Sequence, residues 1–521
     1  MIYKDKIFSK DGNVVPVFLN NLPMHSKYNP IKEAECFGEN ISIDTGCFLV
    51  AGVGGGFHID SLFKKFPHSL IICFEKDIDS LNFCLDLPLN KQLQLNDNII
   101  FCTIDSLEKT IIENYIPSIY GSLTFLQQRA WINYNSNLLQ VLNTTISKII
   151  SEIKADYSVQ SHFGKIWQNN ILLNLKLLEN SKNCPPEYNY KKLSKTAAII
   201  AAGPSFDKSI EKIKCSRDDY FVISTDTSFG TLLDNGIIPE AVLSVDGQFI
   251  SSTHFYSCLE KIDCLKNTTF VFDICGSHTA ARFLRSKGFN VFFVRSGHPL
   301  ASVASNYVNL PFLNTGAGTV TIACCDFAYK CGFKNMELFG ADFCYNSGKS
   351  YTKGTYLDKQ YNTLSSRFCT NENEFDALLF RTNLIKINCE SAFSGVVKSP
   401  YTSIILNSYK TSLENWLTQN SIMHDNSLLK VKSNEMFSKC FYKNFSVKEF
   451  EKNYIYNLCN IVNNFSEEFV HIKNEYLFTL LPFIAYLRAQ KRYANLTFFN
   501  LLKLAYSETL RYTNCYEKDF Y

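Results

Sequence analysis

Between residues 196 and 343, short apolar runs alternate with helical stretches, and this alternation constrains the fold of the 521-residue chain more than any other feature. The series opens with TAAIIAAGPSF, continues through apolar runs at 220–224, 241–245, 269–272 and 290–294, and closes with a helical TVTIACCDFAYKCG feeding MELFGADF. The runs are apolar throughout rather than at every second residue. That pattern fits strands buried on both faces, hence a mostly parallel sheet covered by helices on either side: an α/β fold.

Composition narrows the class. The chain is 46% hydrophobic and 19% charged, with a net charge of +3, so it is too apolar for a disordered polypeptide and too weakly basic for a phosphate-tracking nucleic-acid binder. Its length predicts two or three domains. The opening MIYKDKIFSKDGN lacks a signal-peptide pattern, and the longest apolar stretch, 476–486, falls short of the roughly 18–20 residues of a bilayer span; a cytoplasmic protein without a membrane span is expected. The 19 cysteines are odd in number, irregularly spaced and without C-x-x-C, which predicts core packing in a reduced compartment and no metal site.

Three consecutive regions are predicted: 1–185, 196–398 and 399–521. In the first, CFLVAGVGGGFHIDSLFKKF and SLIICFEKD read as a strand, a glycine turn, a helix and a second strand. Gly52, Gly54, Gly55 and Glu75 then have the layout of a dinucleotide or S-adenosylmethionine site, with the acid on ribose hydroxyls; the other reading is a structural remnant. His58, His68 and Cys73 beside it form no metal set. Helical spacing from 138 to 178 marks a connector, and KNCPPEYNYKKLSK a linker. Beyond 399, long glycine-poor stretches predict an all-helical domain.

The central region holds the chemistry. Gly203, Pro204 and Ser205 form a strand-to-helix turn whose amides and hydroxyl suit a phosphate, or else an ordinary capped turn. Asp226, Asp246 and Asp342 each follow a predicted strand, where the ligand crevice of a parallel sheet lies. Asn314, Thr315, Gly316, Gly318 and Thr319, just before a helix, make a second candidate anion cradle.

The order GPSF, STDTSFGTLLDNGIIPEAVLSVDGQ, TGAGTVTIACCDFAYKCGFKNMELFGADFCYNSGKSY resembles the motility accessory factor (Maf) flagellin glycosyltransferases, whose central domain is MptE-like; GFKNMELFGADFCYNSGKSY is also similar to bacterial sialyltransferases. The resemblance implies a Rossmann-like N-terminal domain, a central GT-A/sialyltransferase-like domain and a helical C-terminal domain. It further implies transfer of a nonulosonic acid (pseudaminic, legionaminic or sialic type) from its CMP donor to Ser or Thr of flagellin. In that reading Tyr351 and Tyr345 adjoin the leaving phosphate, while Gly203, Ser205, Thr225 and the 314–319 turn hold the nucleotide. The sialyltransferases use a histidine downstream of these tyrosines as base, but here none lies between Tyr351 and His424. Asp246, Asp226 and His298 are the alternatives considered. No cofactor is required, although hard carboxylate oxygens suit Mg2+ on the donor. Competing readings are an MptE-like pterin pyrophosphokinase consuming ATP, a non-catalytic flagellin-binding accessory protein, and a methyltransferase seated in the first region.

Overall fold

The computed structural model describes residues 1–37, 41, 45–179, 181, 183–256, 263–316, 318–345, 349–386, 393, 401–437, 445–465 and 474–513. It divides into two compact units. Met1–Lys165 with Ile455–Arg511 make the first, and Ile166–Tyr454 the second.

In the first unit, a hairpin of β1 (Tyr3–Phe8) and β2 (Val14–Phe18) precedes a parallel sheet of β3 (Thr45–Ala51), β4 (Leu70–Glu75), β5 (Ile99–Thr103) and β6 (Ser122–Gln127), in the order β5-β4-β3-β6. Every residue of β4 is buried, as its unbroken LIICFE demands. The apolar stretch around 476–486 becomes the helix Glu475–Ala489, whose buried face includes Leu480, Phe483 and Ile484. No helix of the described residues is long and apolar enough to cross a membrane.

The second unit is built on β7 (Thr196–Ile200), β8 (Tyr220–Thr225), β9 (Ala241–Ser244), β10 (Thr269–Asp273), β11 (Asn290–Val294) and β12 (Asn335–Phe339). The order is β11-β10-β9-β8-β7-β12, all parallel. The chain therefore builds outward from β7 in one direction and then returns to place β12 on its other side. A two-stranded pair, β13 (Leu384–Lys386) and β14 (Tyr401–Ser403), lies apart from this sheet, and β15 (Met423–Asp425) and β16 (Leu428–Lys430) extend it antiparallel beyond β12. The helix Val320–Cys331 fills one face, its Cys324, Cys325 and Cys331 packing as free thiols among Ile199, Ile223 and Leu338.

The division differs from three consecutive regions in two respects. First, it falls after Lys165, within the helix Leu139–Leu177 rather than at the predicted linker, and Asn183 in that linker bonds to Phe293 and Asn309 of the second unit. Second, the stretch beyond 399 is neither all-helical nor separate: Leu413, Trp416 and Leu429 complete the core of the second unit, whereas the last helices belong to the first. The predicted 398/399 boundary itself lies outside the described residues.

Candidate active site

In a parallel sheet all the carboxyl ends lie on one edge, and the crevice opens where successive crossovers part to opposite sides. Here that point is between β7 and β12. A cleft of about 610 Å³ occupies it, lined from β7 by Gly203, from β8 by Thr225 and Asp226, from β9 by Asp246, and from β12 by Gly340 and Asp342.

The backbone forms the floor. Gly203 donates its N–H to Gly340 O at 2.8 Å, and a Cβ on Gly203 would strike that same carbonyl and come within 2.8 Å of Asp342 Cγ. Asp342, buried, accepts Ser205 N–H at 2.9 Å and the Ser205 hydroxyl as well. Ser205 therefore spends both donors on Asp342, and neither it nor Pro204 lines the cleft. The expected phosphate cradle at this turn is a clasp between two strand ends.

The other acids are similarly engaged. Buried Asp226 accepts Thr227 N–H and the Ser244 hydroxyl, each at 2.7 Å. Asp246 accepts Gln248 N–H at 3.0 Å and the Ser251 hydroxyl at 2.8 Å. All three carboxylates stand in the cleft wall, yet each already accepts hydrogen bonds, Asp246 within its own turn and Asp226 and Asp342 also across to another strand end, and among the described residues no three His, Cys, Asp or Glu converge as metal ligands.

The 314–319 turn is split. Asn314 N–H donates to Asp326 at 2.8 Å, and Thr315 donates its hydroxyl to buried Asp273, whose carboxyl is raised above the ordinary range chiefly by burial. Neither residue, nor Gly316, lines the cleft; Gly318 and Thr319 do, and Ala317 lies outside the described residues. Thr319 caps the helix Val320–Cys331 through Thr321 N–H at 3.3 Å. Thr225 likewise caps the helix Asp226–Asp234. Two helix starts thus face the cleft and lend it positive potential.

Tyr345, Tyr351 and Tyr409 complete the wall. Burial first, then the neighbouring tyrosines and Asp226, push the Tyr351 hydroxyl up to about 12, so it is a neutral hydrogen-bond donor at physiological pH. Residues 346–348, between these tyrosines, lie outside the described residues.

Among the cleft residues that the sequence reading does not name are His254 and Arg381. His254, in the short helix Thr253–Tyr256 eight positions beyond Asp246, lines the cleft with its ring edge-to-face on Tyr356 at 4.5 Å. A histidine in the connection after a strand-end acid is the signal that could have found it. Arg381, just past the helix Asn371–Leu379, is the cation among the cleft's described lining, and nothing in its local sequence marks it. His298, by contrast, is not in the cleft. It is buried against Trp167, caps the helix Pro299–Ala304 by accepting Leu300 N–H, and is pushed down to about 4 by burial.

The glycine turn of the first unit is closed by its own chain. Glu75 is fully buried and accepts from Tyr3 Oη (2.8 Å), Val53 N–H (2.9 Å), Gly54 N–H (3.3 Å) and Trp131 Nε1 (2.7 Å). A Cβ on Gly52 would lie 2.6 Å from the Trp131 ring, and one on Gly54 2.6 Å from His25 and Met24, while Gly55 N–H donates to His25 at 2.9 Å. The acid expected on ribose hydroxyls thus already accepts four hydrogen bonds from its own unit, and Trp131, His25 and Met24 pack against the glycines.

A family model described as 6-hydroxymethylpterin diphosphokinase MptE-like matches residues 169–348. An uncharacterized protein of Treponema pallidum is 35% identical over 154 residues, 29% of this chain and 72% of that protein. A second from the same organism is 29% identical over 245 residues, 47% of this chain and 76% of its own. Among solved structures, the Maf glycosyltransferase of Magnetospirillum magneticum AMB-1 superposes with a TM-score of 0.57 at 13% identity, covering 97% of this chain and 90% of that one, a likeness of fold. The chain belongs to one family with the 35%-identical Treponema protein; its residues 169–348, which carry most of the cleft, match the MptE-like model, and its fold is like that of the Maf glycosyltransferase.

Proposed function

We propose that the protein is a glycosyltransferase that moves a nonulosonic acid, of pseudaminic, legionaminic or sialic type, from CMP to Ser or Thr hydroxyls of flagellin. The observation that carries this reading is the fold likeness to a Maf glycosyltransferase along nearly the whole chain, coupled to one open cleft at the switch point. CMP and the sugar carboxylate are anions. Two helix starts and Arg381 suit them, and the neutral Tyr351 hydroxyl suits the oxygen on which charge develops as CMP departs. For the base, the assignment goes to His254, whose ring stands in the cleft wall with Asp226 and Asp246. Mg2+ remains an optional partner of the donor phosphate, with no step routed through it.

The test mixes purified protein, CMP-nonulosonate and flagellin. Equal amounts of released CMP and of sugar-sized mass added to flagellin support the reading; absence of both with intact donor and competent flagellin would sink it. The name of the matching family model favours a second reading, a pterin diphosphokinase, which in a parallel assay with ATP and 6-hydroxymethylpterin would release AMP.

A further inference from the structure

A second cavity, of about 520 Å³, adjoins the cleft and shares Thr227 and His254 with it. Its walls are the helix Asp226–Asp234, the helix Tyr356–Leu364 and the short helix Thr253–Tyr256. The Asp234–Lys359 ion pair, at 2.9 Å, links the first two of these helices, and the rings of Tyr256 and Tyr356 supply flat surfaces with hydroxyl tips. At this size it lies within the ~300–1,000 Å³ of ordinary small-ligand pockets.

Transfer between two substrates needs their reacting atoms about 3–3.5 Å apart where the two sites meet, with the proton acceptor beside that junction. His254 has that position. We infer that the second cavity is the acceptor site, receiving a Ser- or Thr-bearing segment of a protein, and that the alcohol crosses to the donor past His254 and Thr227. This rests on the transferase reading above. As the acceptor oxygen bonds to the anomeric carbon, the bond from that carbon to the CMP phosphate oxygen breaks. The electron pair leaves with CMP and the alcohol proton passes to a ring nitrogen of His254.

The surroundings favour a protein over a free sugar. Phe249 and Ile250, in the segment leading into the Thr253–Tyr256 helix, are exposed, as is Leu364, one turn beyond Gln360 on the same helix face. Exposed aromatic and aliphatic side chains are the types enriched where protein partners bury surface, and these three stand on the segments that wall the cavity.

The experiment uses the full-length protein with CMP, CMP-nonulosonate and flagellin as probes. Gln360→Trp, at an exposed position, fills the cavity; Lys359→Ala opens its far wall and serves if the tryptophan variant folds poorly. KM for flagellin should rise about tenfold in either variant, while CMP affinity by calorimetry moves less than twofold. If the donor constants move instead, if no constant moves, or if free monosaccharides compete as well as flagellin does, the assignment is overturned. A wild-type protein that binds no CMP and releases none would fail the transferase reading first, a result distinct from normal transfer with insensitive variants.

Discussion

Each unit contains a strand that runs into a glycine turn, and the two turns have opposite fates. In the first unit Glu75, Trp131, His25 and Met24 fill the space the glycines leave. In the second, Gly203 and Gly340 bring two strand ends together and the space above them stays open as a cleft. A glycine at such a turn therefore reports that a Cβ has no room, and says nothing of whether ligand or protein takes the place. The acid after the next strand does not separate the cases, since Glu75 and Asp226 are both buried and hydrogen-bonded within their own units; what differs is that side chains pack onto the first turn, whereas the second unit sets its tyrosines, His254 and Arg381 around an opening.

If this contrast is right, substitutions at the open turn cost rate and those at the closed turn cost stability. His254→Ala should lower transfer by about 10²–10⁴-fold, the usual contribution of a general base, with the melting temperature little changed. Near-normal turnover in this variant would return the role of base to Asp246. Glu75→Ala should destabilise the protein by about 3–5 kcal/mol in denaturant titration, because Tyr3, Trp131 and two backbone N–H groups lose a buried acceptor, while CMP affinity holds. Specific binding of S-adenosylmethionine or NAD by the wild type, lost in this variant, would erase the distinction between the turns. Tyr351→Phe should reduce kcat by about 10²–10³-fold, as for removal of one donor to a developing anion, and leave KM for flagellin nearly unchanged.

The smallest effect concerns pH. Burial raises the carboxyl of Glu75, against the pull of its hydrogen bonds, so the native state keeps a proton that the unfolded chain has already lost. Its contribution to stability then falls as pH rises from the unfolded value through the raised folded one. Glu75→Gln should flatten that part of the stability–pH curve, and an unchanged slope would mean that other groups set it.

The parallel sheets were legible because β4, β7 and β8 are unbroken apolar runs, each long enough to be read alone. The strands β13 to β16 were not: each has three residues, and Met423-His424-Asp425 carries no apolar signature, so their pairing depends on partners far along the chain. The cleft acids were found by strand-end position, and that logic located Asp226, Asp246 and Asp342 in the wall without revealing that each is already hydrogen-bonded. Ser205, Asn314 and Thr315 donate to Asp342, Asp326 and Asp273, and a sequence shows such donors but not what already accepts from them. Arg381 reaches the cleft from almost forty residues beyond Asp342, a distance over which no local pattern operates.

The antiparallel pair β15–β16 has a consequence for synthesis. β12 is hydrogen-bonded to β7 on one side and to β16 on the other, and β16 is made only after some ninety further residues have left the ribosome. Until then β12 presents an open row of amides and carbonyls at the sheet margin, the arrangement most prone to pairing with another chain. Once in place, β15 ends the sheet in a strand of three residues, all exposed and including an aspartate, too short and too polar to recruit a neighbour. A nascent chain stalled before Leu428 would therefore hold a complete parallel sheet and still be the aggregation-prone form of the protein.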